Sequence, residues 1–201
     1  MSTSTDLVNI ALRRIGGARI SKLESDTTKD AVVARDIYDE ARKDCLNLHT
    51  WNFAIKRVLL TVSATAPVFG WDYAYPLPDD FIRMVSVHPF NDDDATTPYR
   101  LEFQSSDDRV LLTDTNTPYI RYVFDLQDVN VMSAAFRDVL AFRLSREFAA
   151  ALGKTAALAE LSDRNYRRKI SQAKAIDGVE DWQEKMSDGS WITERWPDNS
   201  W

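Results

Sequence analysis

The chain predicts an α+β fold: an antiparallel bundle of four main helices, an antiparallel β subdomain inserted into it, and an extended C-terminal tail. Three observations predict this. Apolar residues recur at spacings of three and four over residues 27–51 and again from Ser133 onward, the period of helices with one buried face. Between them lie short aliphatic and aromatic runs separated by clusters of Asp, Asn, Ser and Pro, which read as strands and turns. After Gly178 no period is sustained, yet Trp182, Trp191, Trp196 and Trp201 are four of the six tryptophans. The expected divisions are 1–52 (first half of the bundle), 53–130 (β subdomain), 131–177 (second half) and 178–201 (tail).

At 201 residues a chain buries roughly 70% of its unfolded surface and sustains a core without disulfides or a structural metal. A 44% apolar and 28% charged composition is that of an ordinary globular protein. The net charge of −6 argues against a surface built to grip phosphates, since nucleic-acid binders concentrate positive charge on one face. One cysteine excludes an intramolecular disulfide, and no apolar run reaches the length of a bilayer. The opening Met-Ser-Thr-Ser-Thr-Asp lacks the basic start and apolar stretch of a secretory signal, so synthesis in the cytoplasm of a cell is expected.

Taking the elements in order, Ser4 or Thr5 is expected to cap a first helix with Leu7, Ile10, Ala11 and Ile15 on one face; Gly16-Gly17 then supply a left-handed stop. Thr27, with Asp30 three residues on, is expected to cap the second helix, the longest well-capped amphipathic one. Ala34, Ile37, Ala41, Cys45 and Leu48 form its apolar face. Lys29, Asp36, Asp39, Glu40, Lys43 and Asp44 form its charged side, with Arg35/Asp39 and Asp39/Lys43 as pairs one turn apart. This helix runs into an aromatic exit, Trp51-Asn52-Phe53-Ala54.

Strands are expected over 53–62, 71–76, 81–88, 99–103, 109–113 and 119–124, the second and third of them paired. The helical period returns at Ser133: Phe136, Leu140, Leu144, Phe148 and Leu152 step by four, with Val139, Ala141 and Phe142 beside them. So broad an apolar surface predicts a central helix, closed by Gly153. A fourth helix from Thr155 to about Asp177 carries Leu158, Leu161, Tyr166, Ile170 and Ala173 against a basic cluster of Arg164, Arg167, Arg168 and Lys169.

Candidate chemistry is sparse. Cys45 and His49 lie one turn apart, the spacing of a shared metal or of a nucleophile with its base. Cys45 is in phase with the apolar stripe, so it reads as core and His49 as the helix end. Asp92-Asp93-Asp94 and Asp107-Asp108 lack the alternate spacing of a calcium loop and read as turns. Asp79-Asp80, adjacent on an extended segment, point to opposite sides and make a poor catalytic pair. The basic cluster of the fourth helix reads as a solvated face, with nucleic acid or an acidic subunit as the alternatives. No phosphate-binding glycine loop, nucleophile elbow or zinc motif is present. The residues therefore assign no catalytic, cofactor or metal site.

Leu12-Arg13-Arg14-Ile15-Gly16, then Ile20-Ser21-Lys22-Leu23-Glu24 before an Ala-rich helix, then Trp51-Asn52-Phe53-Ala54, with Tyr75-Pro76-Leu77-Pro78-Asp79-Asp80-Phe81-Ile82-Arg83 entering a strand, resemble the head-to-tail adaptors of short-tailed phages. These are also called tail tubular protein A or gatekeeper proteins. The resemblance implies a virion structural protein in the neck of the particle, made in the host cytoplasm and not an enzyme. It implies a dodecameric ring under the portal protein, contact with a tail nozzle or tail fibre protein, and a channel for double-stranded DNA read without sequence specificity.

Assigned in that frame, Lys29, Asp36, Asp39, Glu40 and Lys43 are the candidate contacts between ring subunits. Asp92, Asp93, Asp94, Asp107 and Asp108 are candidate channel or loop acids, and Trp191, Ile192, Trp196 and Trp201 are candidate portal anchors. The competing classes are a small virion-associated hydrolase and a host-directed binding module.

Overall fold

A computed structural model describes residues 3–91, 95–104 and 108–180 of the chain. Four α-helices, α1 (Ser4–Arg14), α2 (Lys29–Asn47), α3 (Ala134–Ala151) and α4 (Ala156–Val179), with a 3-10 turn at Asn52–Ala54, account for its helical part; that turn takes the start of the strand expected over 53–62, which is confined to Ile55–Leu59. Six strands lie between α2 and α3: β1 (Ile55–Leu59), β2 (Tyr73–Pro76), β3 (Phe81–His88), β4 (Arg100–Gln104), β5 (Asp108–Thr113) and β6 (Tyr119–Phe124). The α+β class is as predicted.

The caps show how local chemistry sets the helix ends. Thr3, rather than Ser4 or Thr5, caps α1: its hydroxyl accepts from the Asp6 N–H while the Asp6 carboxylate accepts from the Thr3 N–H. This reciprocal box satisfies two donors that the first turn leaves unpaired. At the other end Gly16 takes φ +66°, and the Gly17 N–H returns to the Leu12 carbonyl, the left-handed stop expected there. Gly153 ends α3 in the same way at φ +65°.

The N-cap of α2 is Thr28 rather than Thr27 and makes no side-chain cap bond; the Asp30 carboxylate, expected to complete a capping pair, accepts instead from the Ala18 N–H at 3.0 Å. The 19 residues of α2 are fewer than the 24 of α4, which Thr155 caps through the Leu158 N–H. The longest well-capped helix is therefore α4.

α3 is the hub. Phe136, Val139, Leu140, Ala141, Leu144, Ser145, Phe148 and Ala149 are all buried, and α1, α2 and α4 each pack against it. A helix apolar on most of its circumference has to sit inside. α2 contributes only part of its face: Ala31, Ala34, Tyr38, Ala41, Cys45 and Leu46 are buried, while Leu48 is exposed. Trp51 is fully buried beside them, donating its indole N–H to the Cys45 carbonyl at 2.9 Å and standing edge-on to Phe136.

The strands make two antiparallel three-stranded sheets, in orders β1-β6-β3 and β2-β5-β4. β2 and β3, expected to pair, belong to different sheets. β2 takes β5 in the register Tyr75↔Leu111, and β3 takes β6 in the register Val87↔Ile120. The link Leu77-Pro78-Asp79-Asp80 explains the switch: the Leu77 N–H still donates to the Arg109 carbonyl of β5, Pro78 has no N–H to continue a ladder, and the Asp80 carbonyl already accepts from the Asp125 N–H beyond β6.

In the first sheet β3 and β6 send apolar side chains to both sides, while β1 is largely exposed. Val123, with Ile82, Val85 and Phe124, packs on the helical core, while Met84, Val87, Ile120 and Tyr122 meet Tyr75 and Leu111 of the second sheet. Helices, first sheet and second sheet are thus three successive layers, each burying the apolar face of the next.

Candidate functional site

The outward side of α2 follows from the inward one. Once Ala34, Tyr38, Ala41 and Cys45 are turned into the core, the 3.6-residue period turns Lys29, Asp36, Asp39, Glu40 and Lys43 outward, and all five are exposed. The predicted pairs along this face are replaced. Arg35 donates to the Leu23 and Asp26 carbonyls, tying α2 to the α1–α2 connection. Asp39 pairs with Arg42 at 2.5 Å, and Lys43 stands 3.9 Å from Asp125. Lys29, Asp36 and Glu40 remain outward as a polar surface able to meet another protein.

Arg42 is the buried counterpart of that face. Its side chain is 4% exposed and donates twice to Asp125 Oδ1, at 2.7 and 3.2 Å. Asp125 directly follows β6, so this pair fastens the helix to the first sheet. A buried guanidinium is tolerated there because its donors are taken.

Cys45 and His49 do not form a reacting pair. Burial pushes the Cys45 thiol up to about 12, next to the Tyr166 hydroxyl, which removes the thiolate a nucleophile or metal ligand needs. His49 turns instead to Asp177 near the end of α4, with Nε2 3.2 Å from Oδ2, and its ring is edge-on to Trp51. Burial raises the Asp177 carboxyl against the Asn52 N–H bonds and the His49 charge that lower it. The Asn52 side chain also donates to the Asp177 carbonyl, and Lys174 Nζ donates to the Leu48 carbonyl. Together these contacts close the last turns of α4 over the exit of α2.

Asp79 and Asp80 do not converge either. Asp79 is exposed, whereas Asp80 accepts from Lys56 Nζ at 2.5 Å and the Tyr122 hydroxyl at 2.9 Å. Burial acts to raise the Asp80 carboxyl, but these hydrogen bonds and the Lys56 charge outweigh it and leave the group below its ordinary value.

A cleft of about 420 Å³ runs along β1 and β6, lined in part by Arg57, His88, Phe90 and Arg121. His88 is committed at both ring nitrogens, Nε2 to the Ser86 hydroxyl and Nδ1 to the Ala95 carbonyl, so it has no nitrogen left for proton transfer to a ligand. Among the described residues no group of three or more His, Cys, Asp or Glu side chains is placed to hold a metal ion, and no helix is long and apolar enough to cross a membrane.

The basic cluster of α4 divides. Arg167 pairs with Asp163 at 2.8 Å, and Lys169 pairs with Asp138 of α3 at 3.0 Å. Asp138 also takes Arg14 of α1 at 2.5 Å, so one carboxylate joins three helices. Spacing could not reveal it, since Arg14 and Asp138 are 124 positions apart; nor could it reveal Arg42–Asp125 or His49–Asp177. Asp92, Asp93, Asp94 and Asp107 lie outside the described residues, as do Trp191, Ile192, Trp196 and Trp201; the backbone of Asp108 opens β5.

Polar groups pair with one another inside the chain, and charged helix faces are left outward as surfaces that another protein can meet. The chain belongs to the tail tubular protein family, whose model matches residues 5–178. It is accordingly a structural protein of the bacteriophage virion tail. Comparison with curated proteins returns no match.

Proposed function

We propose that the chain is a head-to-tail adaptor, or gatekeeper, without enzymatic activity. It forms a ring, a dodecamer, beneath the portal protein, joins the capsid to a tail nozzle or tail fibre protein, and surrounds the double-stranded DNA during ejection without reading its sequence. Residues 1–52 and 131–177 build the ring, residues 53–130 reach toward the tail, and residues 178–201 climb into the portal.

The observation that carries this reading is the exposed face of α2. Lys29, Asp36, Asp39, Glu40 and Lys43 offer polar lateral contacts, individually worth about 1 kcal/mol or less. Such contacts close a ring when a template holds the neighbours at high effective concentration. On the tail side, Val68, Phe69 and Phe103 stand exposed on and beside β4 of the second sheet, bordering a groove of about 330 Å³. Apolar side chains left in water at the layer remote from the helices suit a protein partner. Acidic loops containing Asp92, Asp93, Asp94, Asp107 and Asp108 would line a DNA path without neutralising phosphates.

The isolated subunit is expected to sediment as a monomer at micromolar concentration and to add a ring to purified portal in negative-stain images. A stable dodecamer without portal, or portal images unchanged by the protein, would refute the reading.

A further inference from the structure

An outward stripe on α2 and the first part of one on α4 are complementary in charge and similar in length. On α2, Val32, Asp36 and Glu40 follow one another along the exposed side, Val32 being 42% exposed. On α4, Leu161, Arg164, Arg168, Gln172, Ile176 and Val179 lie on one side at helical spacing; Leu161 is 49%, Ile176 53% and Val179 80% exposed. Each stripe opens on an apolar residue and continues into two like charges one turn apart. Val32 to Glu40 spans about 12 Å and Leu161 to Arg168 about 10 Å at the rise of an α-helix.

Asp36, Glu40, Arg164 and Arg168 have no ion-pair or hydrogen-bond partner among the described residues, whereas their neighbours Asp39, Asp44, Arg167 and Lys169 are all paired. The two stripes cannot meet within one chain. α2 buries Ala34, Ala41 and Cys45, and α4 buries Ser162, Tyr166 and Ala173, both toward the core centred on α3, so their outer sides face away from that core.

We infer that the α4 stripe of one copy docks on the α2 stripe of the next, Arg164 and Arg168 facing Asp36 and Glu40 with Leu161 against Val32. This inference rests on the ring reading above and supplies its missing half, since the α2 face needs a partner surface. Because the two patches differ, the contact is heterologous: it repeats head to tail and closes into a ring when the rotation between copies permits. DNA is the other ligand for exposed arginines. It would leave Leu161 uncovered in water, whereas a protein face covers both the charges and the apolar residue beside them.

Charge reversal tests this with the full chain. Asp36→Lys/Glu40→Lys makes both stripes basic, and Arg164→Glu/Arg168→Glu makes both acidic. Each double variant is checked for wild-type circular dichroism and melting temperature. In concentrated, low-salt solution, sedimentation velocity is expected to show salt-sensitive self-association of the wild type, and about tenfold weaker or no association of either variant alone. An equimolar mixture is expected to restore association, because each basic stripe then meets an acidic one on the other chain, and the mixture adds a ring to purified portal where neither variant does.

Variants that associate like the wild type, or a mixture that gains nothing over its components, overturn the docking contact. So does a wild type that shows no self-association and no ring. A ring on portal that persists in both variants overturns the contact and leaves the ring reading standing. Pairwise association with the predicted mixing behaviour but no ring on portal does the reverse. Salt-sensitive binding of duplex DNA by the wild type that is lost in Arg164→Glu/Arg168→Glu, with self-association intact, assigns the arginines to nucleic acid instead.

Discussion

Trp51 shows how one side chain draws its neighbours out of other roles. Its fully buried ring lies against His49, Phe53 and Phe136, and its N–H occupies the Cys45 carbonyl. His49, held edge-on to that ring, reaches Asp177 rather than the Cys45 thiol. The Cys45→Ala/His49→Ala variant should therefore lose about 1–3 kcal/mol of stability, from a small packing defect and from leaving the Asp177 carboxylate with fewer partners. It should still assemble on portal. Urea denaturation measures the loss, and the disappearance of a bound metal or of a hydrolytic activity in the folded variant would contradict the structural role. Arg42 makes a sharper case, since Arg42→Met strands Asp125 beside an uncharged side chain. About 3 kcal/mol should be lost, and the Arg42→Met/Asp125→Leu variant should recover part of it. A double-mutant cycle reads the coupling.

Helices α1, α3 and α4 meet at a single carboxylate, and the junction has a pH signature. Burial acts to raise Asp138, but hydrogen bonds from Arg14 and Lys169, with their charges, overcome it and hold the group below its ordinary value of 3.8. A depressed folded pKa contributes stability that is present above 3.8 and is lost as pH falls through the folded value. Asp138→Asn should thus destabilise by about 1 kcal/mol or less at neutral pH, the pair being partly screened by solvent. The difference from the wild type should vanish under strongly acidic conditions. Thermal melts of both proteins at several pH values check this, and a gap that does not change with pH would dismiss the ionic account. The caps act at the same scale: Thr3, Ser133 and Thr155 each accept an N–H of the first turn, whereas α2 begins without one and is anchored by Arg35 instead.

For the whole molecule, the three layers place the helical core at one side and the exposed Val68, Phe69 and Phe103 at the layer beyond the first sheet, an arrangement suited to a subunit with different neighbours at its two ends. The α4 helix ends at Val179 beside the closure formed by Asp177, Asn52 and His49, and from there the chain continues into the segment with Trp191, Ile192, Trp196 and Trp201. Aromatic anchors carry a disproportionate share of interface energy, each truncation costing about 2 kcal/mol or more in a desolvated pocket. A chain ending at Ser187 is expected to keep its helical circular dichroism and melting temperature and to stop co-sedimenting with portal. Unchanged portal binding by the shortened chain would refute the docking role, and a large fall in melting temperature would point to a segment that folds back on its own subunit.

What the sequence determined by itself is what depends on neighbours in the chain. The period of four from Phe136 to Phe148 identified the central helix, Gly16 and Gly153 marked the helix stops, and apolar runs bounded by turn clusters placed β3 and β6 at their observed limits. The exposed side of α2 was legible for the same reason, since a 3.6-residue period that names the buried side also names the outer one. Tertiary structure alone decided which strands pair, because β2 and β3 are adjacent in sequence yet each finds its hydrogen-bonding and apolar complement in a strand formed later, β5 and β6. It also decided the ion pairs. Arg35 took the Leu23 and Asp26 carbonyls instead of Asp39, and Arg42, Arg14 and His49 met carboxylates 83 to 128 positions away, a proximity that no local spacing encodes and only the packing of the layers creates.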